Sequence, residues 1–385
     1  MTLTHDDTDL RAGYRRLREL EAQDFSEAPL VAFWETTRAC ALKCLHCRAE
    51  AQPLRHPLEL STAEGFALLE DLASFSPAPI VILTGGDPFM RRDLFDLLAY
   101  GKELGLRLSL SPSVTKRVTA EALLRLKDLG ISRMSLSLDG STAFVHDGFR
   151  GVKGSFDQTL ARIHGALDIN LSIQVNTTVS RHTVKDLPRV FDLLAGIQGI
   201  VLWDLFFLVP TGRAQREDVI SPEQHDSVFR WLYGLGRSAP FGIKTTLGQH
   251  YRRVILQNAL RNDKGLEETW SKMARSATND GKGVCFVSHV GEVYPSGFLP
   301  VGCGNVRRGS VTKIYRSSRV FRALRDPDAL KGKCGRCPFR AICGGSRARA
   351  YGYTGDFLAP EPCCVFEPDA PEADSLRDGG VAATG

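Results

Sequence analysis

The chain has 385 residues, of which 43% are hydrophobic and 24% charged, a composition that sets aside intrinsic disorder and leaves room for a substantial core. Lys and Arg number 49 against 44 Asp and Glu, so the net charge of +5 is modest and spread along the chain, which argues against nucleic acid as the main partner. No apolar run is long enough to span a bilayer, and the amino terminus mixes acidic and basic residues without an apolar h-region, so neither anchor nor signal peptide is expected and the chain reads as cytoplasmic, with no membrane partner.

Residues 1–28 read as an amino-terminal extension. From 29 to 215 short apolar runs alternate with helical patterns. The runs are Leu30 to Thr36, Ile80 to Gly86, Leu106 to Ser113, Arg133 to Gly140, Leu171 to Val179 and Ile200 to Leu208. Between them lie helix-like stretches: Ser61 to Phe75, opened by a Ser61 and Glu64 capping box, Asp93 to Leu104, Ala120 to Leu129, Ser155 to Leu167 and Val184 to Leu194. Strand, crossover helix and strand repeated six times predict an α/β fold, a parallel sheet wrapped by helices, either open and doubly wound or a full or partial barrel. In each case the chemistry belongs at the carboxyl ends of the strands.

Residues 216–282 form a bridging region, with a helix near Glu223 to Leu235, a strand near Ile243 to Thr246 and a polar stretch from Arg261 to Lys282 that reads as a linker. A second, cysteine-rich unit spans 283–368. The tail 369–385 is small and polar and is expected to be disordered.

Ten cysteines in a reducing compartment point to metal or catalysis before disulfides. Cys40, Cys44 and Cys47 form one group at C-x3-C-x2-C spacing, Cys285 and Cys303 stand far downstream, and Cys334, Cys337, Cys343, Cys363 and Cys364 crowd the end. Three thiolates can hold three irons of a four-iron, four-sulfur cluster and leave the fourth open, as catalytic metals require. A zinc site completed by His46 or a remote residue is the alternative, but adjacent His46 and Cys47 make a cramped chelate.

The triplet in "ETTRACALKCLHCRAE" together with "TGGDP" (Thr84 to Pro88) resembles radical S-adenosylmethionine (SAM) enzymes. That resemblance implies a partial (βα)6 TIM-type barrel with Cys40, Cys44 and Cys47 on the catalytic [4Fe–4S] cluster and SAM chelating its open iron. His46 then stands near adenine. Gly85, Gly86 and Asp87 approach the SAM amino group, and Ser137 and Asp139 in "SLSLDG" face its ribose and carboxylate. Asn176 and Arg213 are further candidates for binding the cofactor or substrate. Cys334-x2-Cys337-x5-Cys343 with a late cysteine resembles the SPASM and twitch extensions, small α+β iron-sulfur domains, which implies an auxiliary cluster on Cys334, Cys337, Cys343 and Cys364 or Cys363. Cys364 is preferred, because "CVFEP" resembles the usual ending. The full pattern has another cysteine where this chain has Arg347, so a second auxiliary cluster at Cys285 and Cys303 would be short of ligands and would be absent, would recruit Cys363 or would offer an open iron.

The implied activity is reductive cleavage of SAM, with an electron from reduced flavodoxin or ferredoxin, to methionine and a 5'-deoxyadenosyl radical that abstracts hydrogen from an unreactive carbon. An auxiliary cluster would accept an electron from the substrate radical or bind substrate. Within the family, the triplet region and "CGGSRARAYGYTGDFLAPEPCC" look most like the branch that modifies haem-type tetrapyrroles by oxidative decarboxylation, and Arg336, Arg340, Arg347 and Arg349 would suit a substrate rich in carboxylates. The alternative substrate is a ribosomally made peptide, although only about 28 residues precede the first strand, too few for a winged-helix peptide-recognition domain. A non-catalytic iron-sulfur carrier is a third reading, disfavoured because a carrier gains nothing from a SAM pocket.

Overall fold

The computed structural model describes residues 13–14, 16–17, 20, 22–261 and 265–368. The tail 369–385 and most of the amino-terminal extension lie outside them. The six expected runs form strands β1 (Val31–Glu35), β2 (Ile80–Thr84), β3 (Arg107–Leu110), β4 (Arg133–Ser137), β5 (Ile173–Val179) and β6 (Ile200–Phe207). Four more follow: β7 (Gly242–Thr246), β8 (Val284–Val287), β9 (Glu292–Tyr294) and β10 (Gly304–Asn305).

All ten join one sheet in the order β10-β9-β8-β1-β2-β3-β4-β5-β6-β7. Strands β1 to β7 run parallel to their neighbours, as does β8 beside β1, while β9 and β10 turn back antiparallel. The order from β1 to β7 never reverses. Right-handed crossovers in an unreversed order place every helix on one face, whereas a doubly wound sheet reverses at a switch point. The outer neighbours of β1 and β6 are β8 and β7, so the six strands do not close on each other. The architecture is a partial (βα)6 TIM-type barrel.

Alternation along the strands sets the two faces. Trp34, Val81, Leu83, Leu108, Leu110, Met134, Leu136, Val175, Trp203 and Leu205 are buried in the main core against the helices. The residues between them, Ser109, Ser135, Ser137, Gln174, Asn176, Asp204 and Lys244, fall on the opposite, inner face. In register, Ser137 pairs with Asn176, Asn176 with Asp204, and Asp204 with Lys244. A polar row of this kind suits a binding surface and not a packed barrel interior.

The first crossover helix, Thr62–Ala73, begins at Ser61 with the expected capping box to Glu64. In the stretch read as a linker the described residues 265–282 carry the helix Leu266–Ala274, whose Trp270 and Ala274 are buried with Leu17, Leu256 and Phe339. A stripe of apolar residues this narrow is lost in a polar composition. Asn279 and Asp280 beyond it are also buried, with the Asn279 amide donating to the carbonyls of Cys343 (3.2 Å) and Gly345 (2.7 Å), and Asp280 accepting from the Ala348 N–H at 2.8 Å. The cysteine-rich region is thus tied to the barrel through this segment as well as through β8 pairing with β1. Among the described residues no helix is long and apolar enough to cross a membrane.

Candidate active site

Cys40, Cys44 and Cys47 lie on the loop that leaves β1 at the carboxyl edge of the sheet. The loop is fastened to itself by Cys40 N–H donating to the Gln52 carbonyl (2.9 Å) and by Arg38 Nε donating to that of Ala49 (2.7 Å). Behind it, the Gly85–Gly86 turn after β2 comes into direct main-chain contact. Gly86 N–H donates to Thr37 O and Asp87 N–H to Ala39 O, both at 2.7 Å. A Cβ on Gly85 would stand 2.5 Å from Thr37 O, and one on Gly86 2.5 Å from Ala39 O. Real Cβ atoms do not come that close, so the paired glycines are needed for the turn to reach the cysteine loop itself.

The three sulfurs receive donors. Leu42 N–H points to Cys40 Sγ and Ala51 N–H to Cys47 Sγ, each at 3.3 Å, and Arg150 Nη1 is 3.8 Å from Cys44 Sγ, while the Cys40 thiol itself donates to Ser113 Oγ at 3.3 Å. Burial pushes the Cys40 and Cys44 thiols up, although the Ser113 contact works against it at Cys40 and the Arg150 guanidinium at Cys44. Thiols of this kind become thiolates when a metal takes the proton's place, and N–H donors around their sulfurs are the support that an iron-sulfur cluster uses. Among the described residues no three His, Cys, Asp or Glu side chains converge closely enough to hold one metal ion. The donor set fits a three-cysteine cluster.

Arg150 was not foreseen from the sequence. It sits at the end of the helix Ala143–Arg150 and pairs with fully buried Asp139 at 2.5 Å, whose other oxygen accepts from Thr178 N–H at 2.6 Å. Burial raises the Asp139 carboxyl, but Arg150 pulls it below the usual range. Asp139 therefore holds Arg150 against Cys44, and both of its oxygens are engaged by protein donors. Asp87 is likewise buried and bonded, accepting from Thr115 Oγ1 (2.9 Å) and Phe89 N–H (3.2 Å), and burial pushes its carboxyl up to about 6 despite these donors. Arg213 turns to carbonyls of the cysteine loop, with Nη1 3.4 Å from Cys44 O and Nη2 bonded to Ala51 O, so it braces the loop. His46 stacks on Phe149 with ring centroids 4.1 Å apart, and its Nδ1 is buried with no hydrogen-bond partner. Ser137 and Asn176 stand side by side on the inner face, Asn176 accepting from Gln174 Nε2 at 2.8 Å. A second unforeseen group is Glu35, which ends β1 and is bonded by Arg48 (2.9 Å) and His289 (2.7 Å).

Downstream, Cys334, Cys337, Cys343 and Cys364 line one pocket of about 380 Å³, part of it open to solvent. Gly345 N–H lies 3.4 Å from Cys343 Sγ, Glu361 N–H 3.3 Å from Cys334 Sγ and Arg347 Nη2 3.8 Å from the same sulfur. Cys363 is not among the residues lining that pocket. Its N–H donates to Glu361 Oε1 at 2.9 Å, and burial pushes its thiol up to about 12. Cys285 is fully buried in the main apolar core, where burial pushes its thiol up to about 12, and Cys303 packs against the same core with its thiol 3.4 Å from Val301 O. Neither joins the four. Arg347 and Arg349, expected to face a carboxylate substrate, are instead fully buried and bonded mostly to main-chain carbonyls, with Cys334 Sγ beside Arg347 and Glu361 paired to Arg349. Arg347 reaches Ala359 O (2.7 Å) and Phe357 O (3.1 Å), and Arg349 reaches Leu247 O (2.9 Å), Phe207 O and Leu208 O (3.2 Å each). Arg340 pairs with Asp328 at 2.8 Å. Buried guanidiniums must fill their donors, and main-chain carbonyls of converging loops are what surrounds these two.

The family profile described as Radical SAM superfamily matches residues 34–194, from β1 through the helix after β5. An AdoMet-dependent heme synthase of Methanosarcina barkeri is 39% identical over 347 residues, 89% of this chain and 98% of that protein. The enzyme of the same name from Nitratidesulfovibrio vulgaris is 40% identical over 352 residues, covering 90% of this chain and 95% of its own length. Among solved structures, Streptococcus suis SuiB bound to its precursor peptide SuiA superposes with a TM-score of 0.68 over 93% of this chain and 80% of SuiB, at 14% identity, a likeness of fold. The alignments to the two synthases take in about nine tenths of this chain and nearly the whole of those proteins, and the chain belongs to the radical SAM superfamily, within the family that contains the AdoMet-dependent heme synthases.

Proposed function

We propose that the chain cleaves SAM reductively at a four-iron cluster held by Cys40, Cys44 and Cys47, and directs hydrogen abstraction to propionate side chains of a haem-type tetrapyrrole. The observation that carries this reading is the identity of 39% to 40% over about nine tenths of the chain to enzymes named AdoMet-dependent heme synthase. When bound at the triplet, the cluster with SAM supplies a one-electron cleavage to methionine and a 5'-deoxyadenosyl radical. For each propionate, one hydrogen atom goes to that radical, and carbon dioxide and one electron leave, giving a vinyl group. The released electron needs an acceptor, and Cys334, Cys337, Cys343 and Cys364 are the residues that would hold one as an auxiliary cluster. The electron that starts the cycle comes from a small reduced donor of the flavodoxin or ferredoxin class.

This chain's own residues prepare the site. Gly85 and Gly86 seat the cysteine loop, Arg150 and the loop amides orient its sulfurs, and Ser137 and Asn176 offer polar groups on the inner face. A cation for a carboxylate substrate stands on the inner face. Lys244 Nζ bonds Asp204 (2.7 Å) and Thr246 (3.2 Å) and keeps a half-exposed side chain. A charged anchor of this kind positions the reacting carbon, and positioning with exclusion of water is what radical chemistry asks of the barrel.

The test is anaerobic reconstitution with iron and sulfide, followed by dithionite, SAM and iron-coproporphyrin. The expected result is one 5'-deoxyadenosine and one carbon dioxide per vinyl group formed, abolished by Cys40→Ala, Cys44→Ala and Cys47→Ala together. No 5'-deoxyadenosine under any condition would overturn the SAM reading, and 5'-deoxyadenosine with an unchanged tetrapyrrole would overturn the substrate.

A further inference from the structure

His250 stands in the turn between β7 and the helix Tyr251–Arg261, so it connects the edge of the barrel to the carboxyl-terminal region. It is 1% exposed and lines the pocket shared by Cys334, Cys337, Cys343 and Cys364. Neither Nδ1 nor Nε2 has a hydrogen-bond partner; the main chain of Cys363 lies near the ring without meeting hydrogen-bond geometry. Its remaining ring neighbours are Phe229, edge-on at 4.6 Å, and His225 at 5.5 Å. An imidazole always carries at least one N–H, and leaving such a donor buried without an acceptor costs about 1–3 kcal/mol. Folded proteins leave very few groups in that state, and the exceptions ask for an explanation. A hydrophobic residue of similar shape would fill the same space without that cost. Apart from the Cys363 main chain, which the ring does not reach in hydrogen-bond geometry, the pocket that His250 borders is where an acceptor can meet it.

The other donors around this pocket already point at sulfur: the amides of Gly345 and Glu361, and the guanidinium of Arg347. We propose that His250 donates its ring N–H to a sulfur of an iron-sulfur cluster held by Cys334, Cys337, Cys343 and Cys364, and thereby sets that cluster's reduction potential. This rests on the reading of the four-cysteine pocket as a cluster site. Reduction adds negative charge to the cluster, and a hydrogen bond to sulfur stabilises the more negative state, so the donor raises the potential. His250 acts here as a positioning and tuning residue, not as a ligand.

The experiment is a redox titration followed by electron paramagnetic resonance in full-length protein carrying Cys40→Ala, Cys44→Ala and Cys47→Ala, so that only an auxiliary cluster contributes. His250→Phe is expected to keep the iron content and move the midpoint to more negative potential, whereas His250→Gln, which keeps an N–H donor, stays close to the parent. Electron–nuclear double resonance in H2O and D2O should show an exchangeable proton coupled to the reduced cluster, lost in the Phe variant and present in the Gln variant. Should His250→Phe fail to load iron, loss of that coupling in His250→Leu provides the same reading. An intact cluster with the same midpoint and the same exchangeable coupling in His250→Phe would overturn the tuning role and leave the cluster site standing. No cluster signal in the triple-alanine parent would overturn the cluster site, and the inference with it.

Discussion

His146 accepts a hydrogen bond from the Asp139 N–H at Nδ1, 3.0 Å away, from a position that is nearly inaccessible to water. A protonated imidazole cannot accept there, and burial, with the Arg150 charge added, pushes the ring's pKa down to about 4. The folded state then binds fewer protons than the unfolded chain, whose histidine titrates near 6.5. Its contribution is fully present above about pH 6.5 and is lost as the pH falls toward 4, up to about 3 kcal/mol at the low end. His146→Asn keeps an acceptor oxygen close to the Nδ1 position and does not titrate. Thermal midpoints measured at pH 7.5 and 5.5 should fall further in the parent than in His146→Asn; an equal fall would show that His146 is not the titrating group. The consequence reaches the site, because the Asp139 main chain that His146 fixes carries the carboxylate that holds Arg150 beside Cys44.

At the level of elements, β8 separates what a cysteine is by type from what it is by place. The hairpin containing Cys285 reads as the opening of a cluster domain, but β8 lies parallel to β1, and its alternation sends Cys285 to the helix side of the sheet with Val287 and Val293. Cys285→Ala is expected to leave iron per chain unchanged and to cost about 1 kcal/mol through the small cavity it opens; a fall in iron would restore Cys285 as a ligand. The six barrel strands and the capped helix Thr62–Ala73 were legible in the sequence because short apolar runs and a capping box are local signals. The pairing of β8 with β1 was not, because the neighbour of a sheet edge is chosen by the assembled fold and leaves no local mark. The helix Ala143–Arg150 was passed over although Thr142 and Gly151 flank it, and Arg150 and His146 went unnoticed with it. Arg347 and Arg349 misled in the opposite direction. An arginine's sequence neighbours do not say whether its guanidinium faces solvent or a ring of carbonyls.

For the molecule as a whole, the question is what holds the barrel to the cysteine-rich region, and one buried guanidinium does much of it. Arg349 reaches the carbonyls of Phe207 and Leu208 at the end of β6 and of Leu247 just past β7, and pairs with fully buried Glu361 at 3.1 Å. Glu361 in turn accepts from Ser346 N–H (2.7 Å) and Cys363 N–H (2.9 Å), and its own N–H points to Cys334 Sγ. The edge of the barrel is thereby linked through two side chains to a sulfur of the four-cysteine pocket. Removing one partner of a buried pair leaves the other charged and unsolvated, at a cost of about 3–5 kcal/mol. Arg349→Met should therefore destabilise the protein by that amount and loosen the pocket, so that iron falls at the four cysteines while the triplet keeps its share. Adding Glu361→Gln removes the stranded charge, and the double variant should recover part of the loss, giving a coupling energy well above that of a surface pair. Denaturation of the parent, both single variants and the double variant, with iron counted in each, measures it. Strict additivity, or full iron retention in Arg349→Met, would mean that the two regions are held by β8 and the Asn279 contacts alone.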